Sequence, residues 1–193
     1  NETSCYPYSS LEYRDLFKHT LWMLPGVREV KALKNLMIKH PVFGSGQFNI
    51  VNVAGEGDEE ERYEDALSKV KNAIKNSGEG EYTITLSCGK LTTGVTIREW
   101  TGVFMLSGSF STSAANYLQT IFRVQSPANI NGKIKDTSYV FDFAPDRTLK
   151  MVASAIAVST KAGKAKVSDK KIMGKFLNYC PVISISGSEM HEY

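Results

Sequence analysis

Apolar positions along the chain switch between two periods, and the switching predicts alternating strands and helices. His19 to Leu24 (HTLWML) is a nearly continuous apolar run that stops at Pro25-Gly26, a turn signal. Val27, Val30, Leu33, Leu36 and Met37 follow at helical spacing with a lysine-rich outer face, which predicts an amphipathic helix over 27–39. Phe48 to Val53 (FNIVNV) alternates as a strand. Tyr63, Leu67, Val70 and Ile74 make the stripe of a second helix that stops near Ser77-Gly78. In the next strand Tyr82, Ile84 and Leu86 alternate with Thr83, Thr85 and Ser87. Trp100 to Leu106 (WTGVFML) has the composition of a strand covered on both faces. Ala114 to Val124 is helical in composition, with Ser111 or Ser113 as N-cap. Tyr139 to Phe143 (YVFDF) reads as another strand. Asp146 can cap a helix to about Val158, with Leu149, Val152, Ala153 and Ile156 facing inward. A short helix over Leu11 to Phe17 precedes the first strand.

Five strands in a βα alternation predict an α/β domain with a mostly parallel sheet and helices on both faces. Ligands bind such sheets beyond the carboxyl ends of the strands. The stretch from Tyr82 to Pro127 brings glycine, threonine and serine to that edge, so it is the candidate functional region. ANINGKIKDTS (128–138) reads as a connecting loop. STKAGKAKVSDKK (159–171) has the composition of a flexible linker. Ile172–Tyr179 and Pro181–Ile185 suggest one more helix and one more strand. The expected organisation is a domain over 1–158 and a short C-terminal extension over 159–193.

Composition narrows the picture modestly. With 42% apolar and 22% charged residues the chain is of the soluble globular type, and a net charge of +3 does not argue for nucleic acid. Cys5, Cys88 and Cys180 are scattered and form no C-x-x-C pair. That pattern indicates neither a zinc site nor a disulfide framework and favours a reducing, cytoplasmic setting. No apolar run approaches the roughly 20 residues that span a bilayer, so no membrane partner is expected. The chain starts at Asn1 without Met, as expected of a piece of a longer protein.

Most chemical signals are bland. Seven acidic residues between Glu56 and Asp65 are explained by the dipole at a helix start, so no metal site is expected. GSGQ (44–47) lacks the Lys-Ser/Thr of a phosphate loop, and SGSFS (107–111) has no G-x-S-x-G elbow. His19, His40 and His191 share no metal-ligand spacing. The six lysines from Lys161 to Lys175 suit a solvated linker.

Two segments carry a family resemblance. LTTGVTIREW (91–100) resembles motif V of superfamily-two helicases, closest to the T-G-F-D-A-P form of restriction-enzyme motors. YLQTIFRVQSP (117–127) resembles motif VI, the Q-x-x-x-R helix that supplies an arginine finger, and the distance between the motifs also fits. The chain thus resembles the C-terminal RecA-like (P-loop NTPase-type) domain of a DEAD/DEAH-type helicase or translocase, over roughly 19–158.

The resemblance implies roles. Arg123 would be the finger and Gln119 its neighbour one helical turn earlier. Gly94, Thr96 and Arg123 would face the nucleotide. Thr92 and Thr93 would meet nucleic-acid phosphates, with Gly55 after the second strand as a further contact. The chain contains no Walker A or Walker B sequence, so ATP and Mg would be held mainly by an N-terminal RecA-like domain of the same polypeptide. The other partner would be nucleic acid, DNA in preference to RNA, and the setting a restriction or phage-defence system. Thr96 stands where the family usually has Asp, and Ser126 where it has a second Arg. Those departures leave open a degenerate RecA-like module that binds without turnover. An unrelated doubly wound enzyme would need a catalytic constellation that the sequence does not show.

Overall fold

The computed structural model describes residues 8, 11–55, 63–89, 96–108, 114–130, 132–144, 146–147, 150, 171, 183–186 and 189–192. Chain order runs α1 (Leu11–Leu16), β1 (His19–Met23), α2 (Val27–Lys39), β2 (Phe48–Asn52), α3 (Tyr63–Asn76), β3 (Tyr82–Ser87), β4 (Gly102–Met105) and α4 (Ala114–Phe122). A 3-10 turn over Arg123–Gln125 prolongs α4. The chain then forms β5 (Asn129–Ile130), β6 (Lys133–Ile134), β7 (Tyr139–Asp142), β8 (Ile183–Ser186) and β9 (Glu189–Glu192).

Five strands form one wholly parallel sheet in the order β2-β3-β1-β4-β7. The β1→β2 connection runs towards one edge, whereas β2→β3, β3→β4 and β4→β7 all run towards the other. Right-handed crossovers must then place α2 on one face and the remaining connections on the opposite face. The core divides accordingly. Val30 and Met37 of α2 pack with Trp22, Phe48, Tyr82, Ile84, Leu86 and Phe104 on the first face. Ala66, Val70 and Ala73 of α3 and Tyr117 of α4 pack with Leu21, Val51, Val103 and Met105 on the second. Ile97 and Trp100 lie in that second cluster, so the β3→β4 crossover passes over the same face.

Several expectations need correction. The alternation in β3 does not separate a buried from an exposed face, because every residue of the strand is buried, Thr83, Thr85 and Ser87 included. Crossovers cover both faces of an inner parallel strand, so its polar side chains are enclosed whatever their alternation. Leu36 is 67% exposed although it belongs to the apolar spacing of α2. It precedes Met37 and is therefore about 100° round the helix from the buried stripe. The 128–138 segment is not a plain loop, since β5 and β6 pair as a small hairpin with Gly132 at φ +81°. The strand expected over 181–185 is β8, and it pairs antiparallel with β9, which the sequence reading missed. The helices expected over 146–158 and 172–179, and the linker before the latter, lie almost wholly outside the described residues.

Close approach fixes Gly44, where a Cβ would overlap the Ile38 carbonyl oxygen and stand 2.9 Å from that of His40. At Gly102 a Cβ would stand 3.1 Å from Cδ1 of Phe17, a tighter fit that a small shift of the ring could accommodate.

His19 opens β1 in a buried position, and burial, helped by the charge of Lys18, pushes its imidazole down from the ordinary 6.5 to about 4. Its Nδ1 has no hydrogen-bond partner among the described residues. The unfolded chain gains a proton near pH 6.5 that the folded chain refuses until about pH 4. Stability from neutral His19 is therefore complete above pH 6.5 and is lost as the pH falls towards 4, by on the order of 3 kcal/mol. Thermal melts of wild type and His19→Phe should diverge progressively over that window, with the wild type losing more. Parallel curves would assign the acid sensitivity to other groups.

Candidate functional site

The outgoing directions of β1 and β4 diverge, which makes the gap between their carboxyl ends the switch point of the sheet. Leu24 and Gly26, Ser87 to Gly89, and Leu106 to Gly108 gather at this edge. Beside them, Arg147 closes the end of the sheet. Its side chain is only 4% exposed, its Nη2 is 3.5 Å from Oδ1 of Asp142, and its guanidinium lies 5.6 Å from the centre of the Tyr117 ring. Nη1 donates to Oγ of Ser107 at 3.4 Å, and Nη2 donates to the Ser107 carbonyl oxygen. Asp142 Oδ1 also accepts the Ala144 N–H at 2.9 Å. One buried cation thus ties the end of β4, the end of β7 and the first half of α4 together. A charge removed from water in this way is tolerable only because it is paired and hydrogen-bonded.

Gly55 follows β2 at the same edge. Asn52 shapes the turn, accepting the Ala54 N–H on Oδ1 at 2.8 Å and donating Nδ2 to the Gly55 carbonyl at 3.0 Å. Gly55 has φ +107°, a conformation L side chains rarely adopt, and it is buried. β3 and β1 stand between β2 and β4, so Gly55 is remote from the Arg123 helix.

Gln119 and Arg123 are placed differently. α4 begins beyond the carboxyl end of β4 and runs back along the sheet, burying Tyr117, Thr120 and Val124. Gln119 is exposed on its outer side between Leu118 and Phe122, which are also exposed. Arg123 is half-buried and opens the 3-10 turn, at the end of the sheet where the strands start. Thr96 is exposed at the start of the segment that descends to β4. Thr92, Thr93 and Gly94 lie outside the described residues, as does the acidic run from Glu56 to Glu61.

Lys135 is what joins these parts. Its Nζ donates to the carbonyl oxygens of Arg98 at 2.7 Å, Trp100 at 2.9 Å and Val124 at 2.9 Å. The strand-entering limb of the LTTGVTIREW segment and the arginine-bearing end of YLQTIFRVQSP are therefore neighbours. Burial lowers the Lys135 pKa, and the nearby Glu99 charge opposes that effect. The sequence reading passed over both Lys135 and Arg147. The only available signal for Arg147 was a carboxylate, Asp142, inside an otherwise apolar strand.

Among the described residues no group of three or more His, Cys, Asp or Glu side chains could hold a metal ion. No described helix is long and apolar enough to cross a membrane. No family model matches the chain. Over 189 residues, 95% of its length, it is 32% identical to a Mycoplasma pneumoniae protein that carries the name "Putative type II restriction enzyme and methyltransferase RM.MpnORF110P C-terminus". The chain spans 25% of that protein, and at such coverage the likeness includes the whole stretch from Tyr82 to Pro127.

Proposed function

We propose that this chain is the second RecA-like motor domain of an ATP-dependent DNA translocase or helicase that serves a restriction system. The observation that supports the reading is the junction at Lys135, which brings the 96–100 flank of the motif-V-like segment beside the end of the motif-VI-like segment within a parallel α/β fold. Similarity to a protein named for restriction and methylation supports the biological setting. ATP is the substrate, and Mg-ATP is held by an upstream RecA-like domain, since this chain has no Walker sequence. In this reading residues 1–158 form the motor domain and 159–193 a C-terminal extension.

Arg123 supplies a planar cation at a position fixed by Val124, which is wholly buried beneath it. Gln119, exposed one helical turn earlier, offers a neutral donor and acceptor to orient the attacking water or the arginine. Thr92 and Thr93, with Gly55 as a further contact, meet the phosphates of the tracked strand without reading its sequence, and Gly94 and Thr96 face the nucleotide. A second reading, a module that binds DNA without turnover, draws on Thr96 and Ser126 in place of the family's Asp and Arg.

The full-length protein is expected to hydrolyse ATP faster when DNA of any sequence is present. The chain alone is expected to show no hydrolysis above background. Turnover by the isolated chain that disappears in Arg123→Ala would refute the shared-site reading. Absence of turnover in the full-length protein, with DNA still bound, would favour the non-catalytic module.

A further inference from the structure

The edge of the sheet at β2 has features that the motor reading leaves unused. The Tyr82 N–H donates to the Gln47 carbonyl at 2.8 Å, and the Val53 N–H donates to the Leu86 carbonyl at 3.0 Å. Alternate residues of a strand in a parallel ladder address the same neighbour, so Asn49 and Val51 also face β3. Phe48, Ile50 and Asn52 turn their N–H and C=O groups the other way. β2 is the last strand on that side, and no strand among the described residues pairs with them. Natural edges are commonly guarded by a charge, a proline or a bulge, yet FNIVN holds no charge and no proline. β7, at the opposite edge, ends on Asp142.

A groove lies beside this open edge. It holds about 260 Å³, and its apolar lining residues are Ile38, Phe43, Phe48 and Ile50. That is below the roughly 300–1,000 Å³ of a small-molecule site and suits a side chain or two. The wall is preformed. The Phe43 ring centre lies 5.1 Å from that of Phe48, 5.6 Å from that of Tyr8 and 6.1 Å from that of Trp22. Gly44 lets the turn before β2 close on the Ile38 and His40 carbonyls. Ile38 itself is 53% exposed.

The flank of α2 above the groove is basic. Lys34 and Lys31 stand four and seven residues before Ile38 and share its side of the helix, whereas Glu29 lies on the opposite side. α2 returns from the end of β1 to the start of β2, so the lysines extend from the groove towards the carboxyl end of the strand. Along the axis Lys34 is about 6 Å and Lys31 about 10 Å from Ile38. Two residues of an extended chain advance by about 6.6 Å, which matches the nearer lysine.

We propose that the β2 edge docks an extended, acidic segment of another protein. The segment adds a strand by pairing with Phe48 and Ile50, seats one aliphatic side chain in the groove, and sets a carboxylate two residues away against Lys34 and Lys31. Charge selects this occupant over a second copy of the chain. A two-fold axis between paired β2 edges would keep both α2 helices on one face and turn their lysine flanks towards each other. The proposal is independent of the motor reading.

The test uses the full-length protein and short labelled peptides, followed by fluorescence anisotropy. The probe has the core Glu-Thr-Ile-Thr-Glu, which suits the site in either chain direction. It is expected to bind about tenfold or more tightly than the same peptide with Lys in place of Glu. Methylation of the probe's alternate amides, which removes the pairing N–H groups, is expected to abolish binding. In the double variant Lys31→Glu with Lys34→Glu the preference is expected to reverse, with the Lys peptide the tighter by about tenfold. Ile50→Pro removes one outward N–H and spares the ladder to β3, so it should weaken the probe while melting near the wild type. Should that variant not fold, the methylated peptide still tests the pairing on the wild-type protein. Equal affinity for the two peptides, or full binding by the methylated one, overturns the proposal. So does failure of the full-length protein to bind the probe. Self-association that Ile50→Pro abolishes would make a second copy the occupant, and that also overturns it.

Discussion

Replacing Arg123 by alanine in the full-length protein should cut ATP turnover at saturating DNA by on the order of 10³–10⁵, or roughly 4–7 kcal/mol of transition-state stabilisation. The fold should survive, because Arg123 is half-exposed at the start of a 3-10 turn whose anchor is the buried Val124. ATP affinity should change much less than rate. A finger meets charge that grows during phosphoryl transfer, so its loss falls on the transition state more than on the bound ground state. Arg123→Lys should restore little, since a point-charge ammonium cannot reproduce the planar fork that spans two phosphate oxygens. Gln119→Ala should act in the same direction but less severely, as expected of a neutral positioning group. Ser126 stands where the family has a second arginine, so this segment has no understudy. The deciding measurement is the steady-state ATPase rate of wild type against Arg123→Ala, with folding checked by thermal melting. A variant that keeps more than about a tenth of the wild-type rate would show that Arg123 is not the finger.

The largest expected loss of stability comes from Asp142→Ala, at about 3–5 kcal/mol. Removing the carboxylate leaves the Arg147 guanidinium beneath Tyr117 with hydrogen bonds to Ser107 but no counter-charge among the described residues, in a side chain only 4% exposed. The Ala144 N–H loses its acceptor at the same time. The double change Asp142→Asn with Arg147→Met should cost less than Asp142→Ala, because it removes both charges and keeps an acceptor for Ala144. Urea unfolding of the three proteins measures this. A loss below about 1 kcal/mol for Asp142→Ala would mean that the pair behaves as a solvated surface bridge.

The elements were legible because each has a strong local pattern. α2 spans the 27–39 that its apolar spacing predicts, and α3 ends at Asn76, just before the Ser77-Gly78 stop. β1, β3 and β7 fall within the runs that predicted them. The β5–β6 hairpin and β9 were missed because strands of two residues, and a polar strand such as Glu189–Glu192, are too short or too polar to show a period. The resemblance singled out Gln119 and Arg123, but it carried no information about what surrounds them. Arg147 and Lys135 reach Ser107 and Arg98 across 40 and 37 residues, and no window of local sequence carries that information.

The sequence by itself determined the α/β alternation and hence a parallel sheet, since strands joined by helical crossovers can pair in no other sense without long returns. It also determined that this chain holds no Walker phosphate loop. Only the tertiary structure decided the strand order β2-β3-β1-β4-β7, the burial of Thr83 and Thr85 inside a sheet covered on both faces, and the ends at which the candidate residues stand. Gly55 was placed at the carboxyl edge and Arg123 at the opposite end because α4 runs antiparallel to the strands beneath it. Hydrophobic period is a property of neighbouring residues, whereas strand order and side-chain contact depend on how whole faces compete for burial. Lys135 is the clearest case: a polar residue in a polar stretch, held by three carbonyls that only the packed sheet brings to one point.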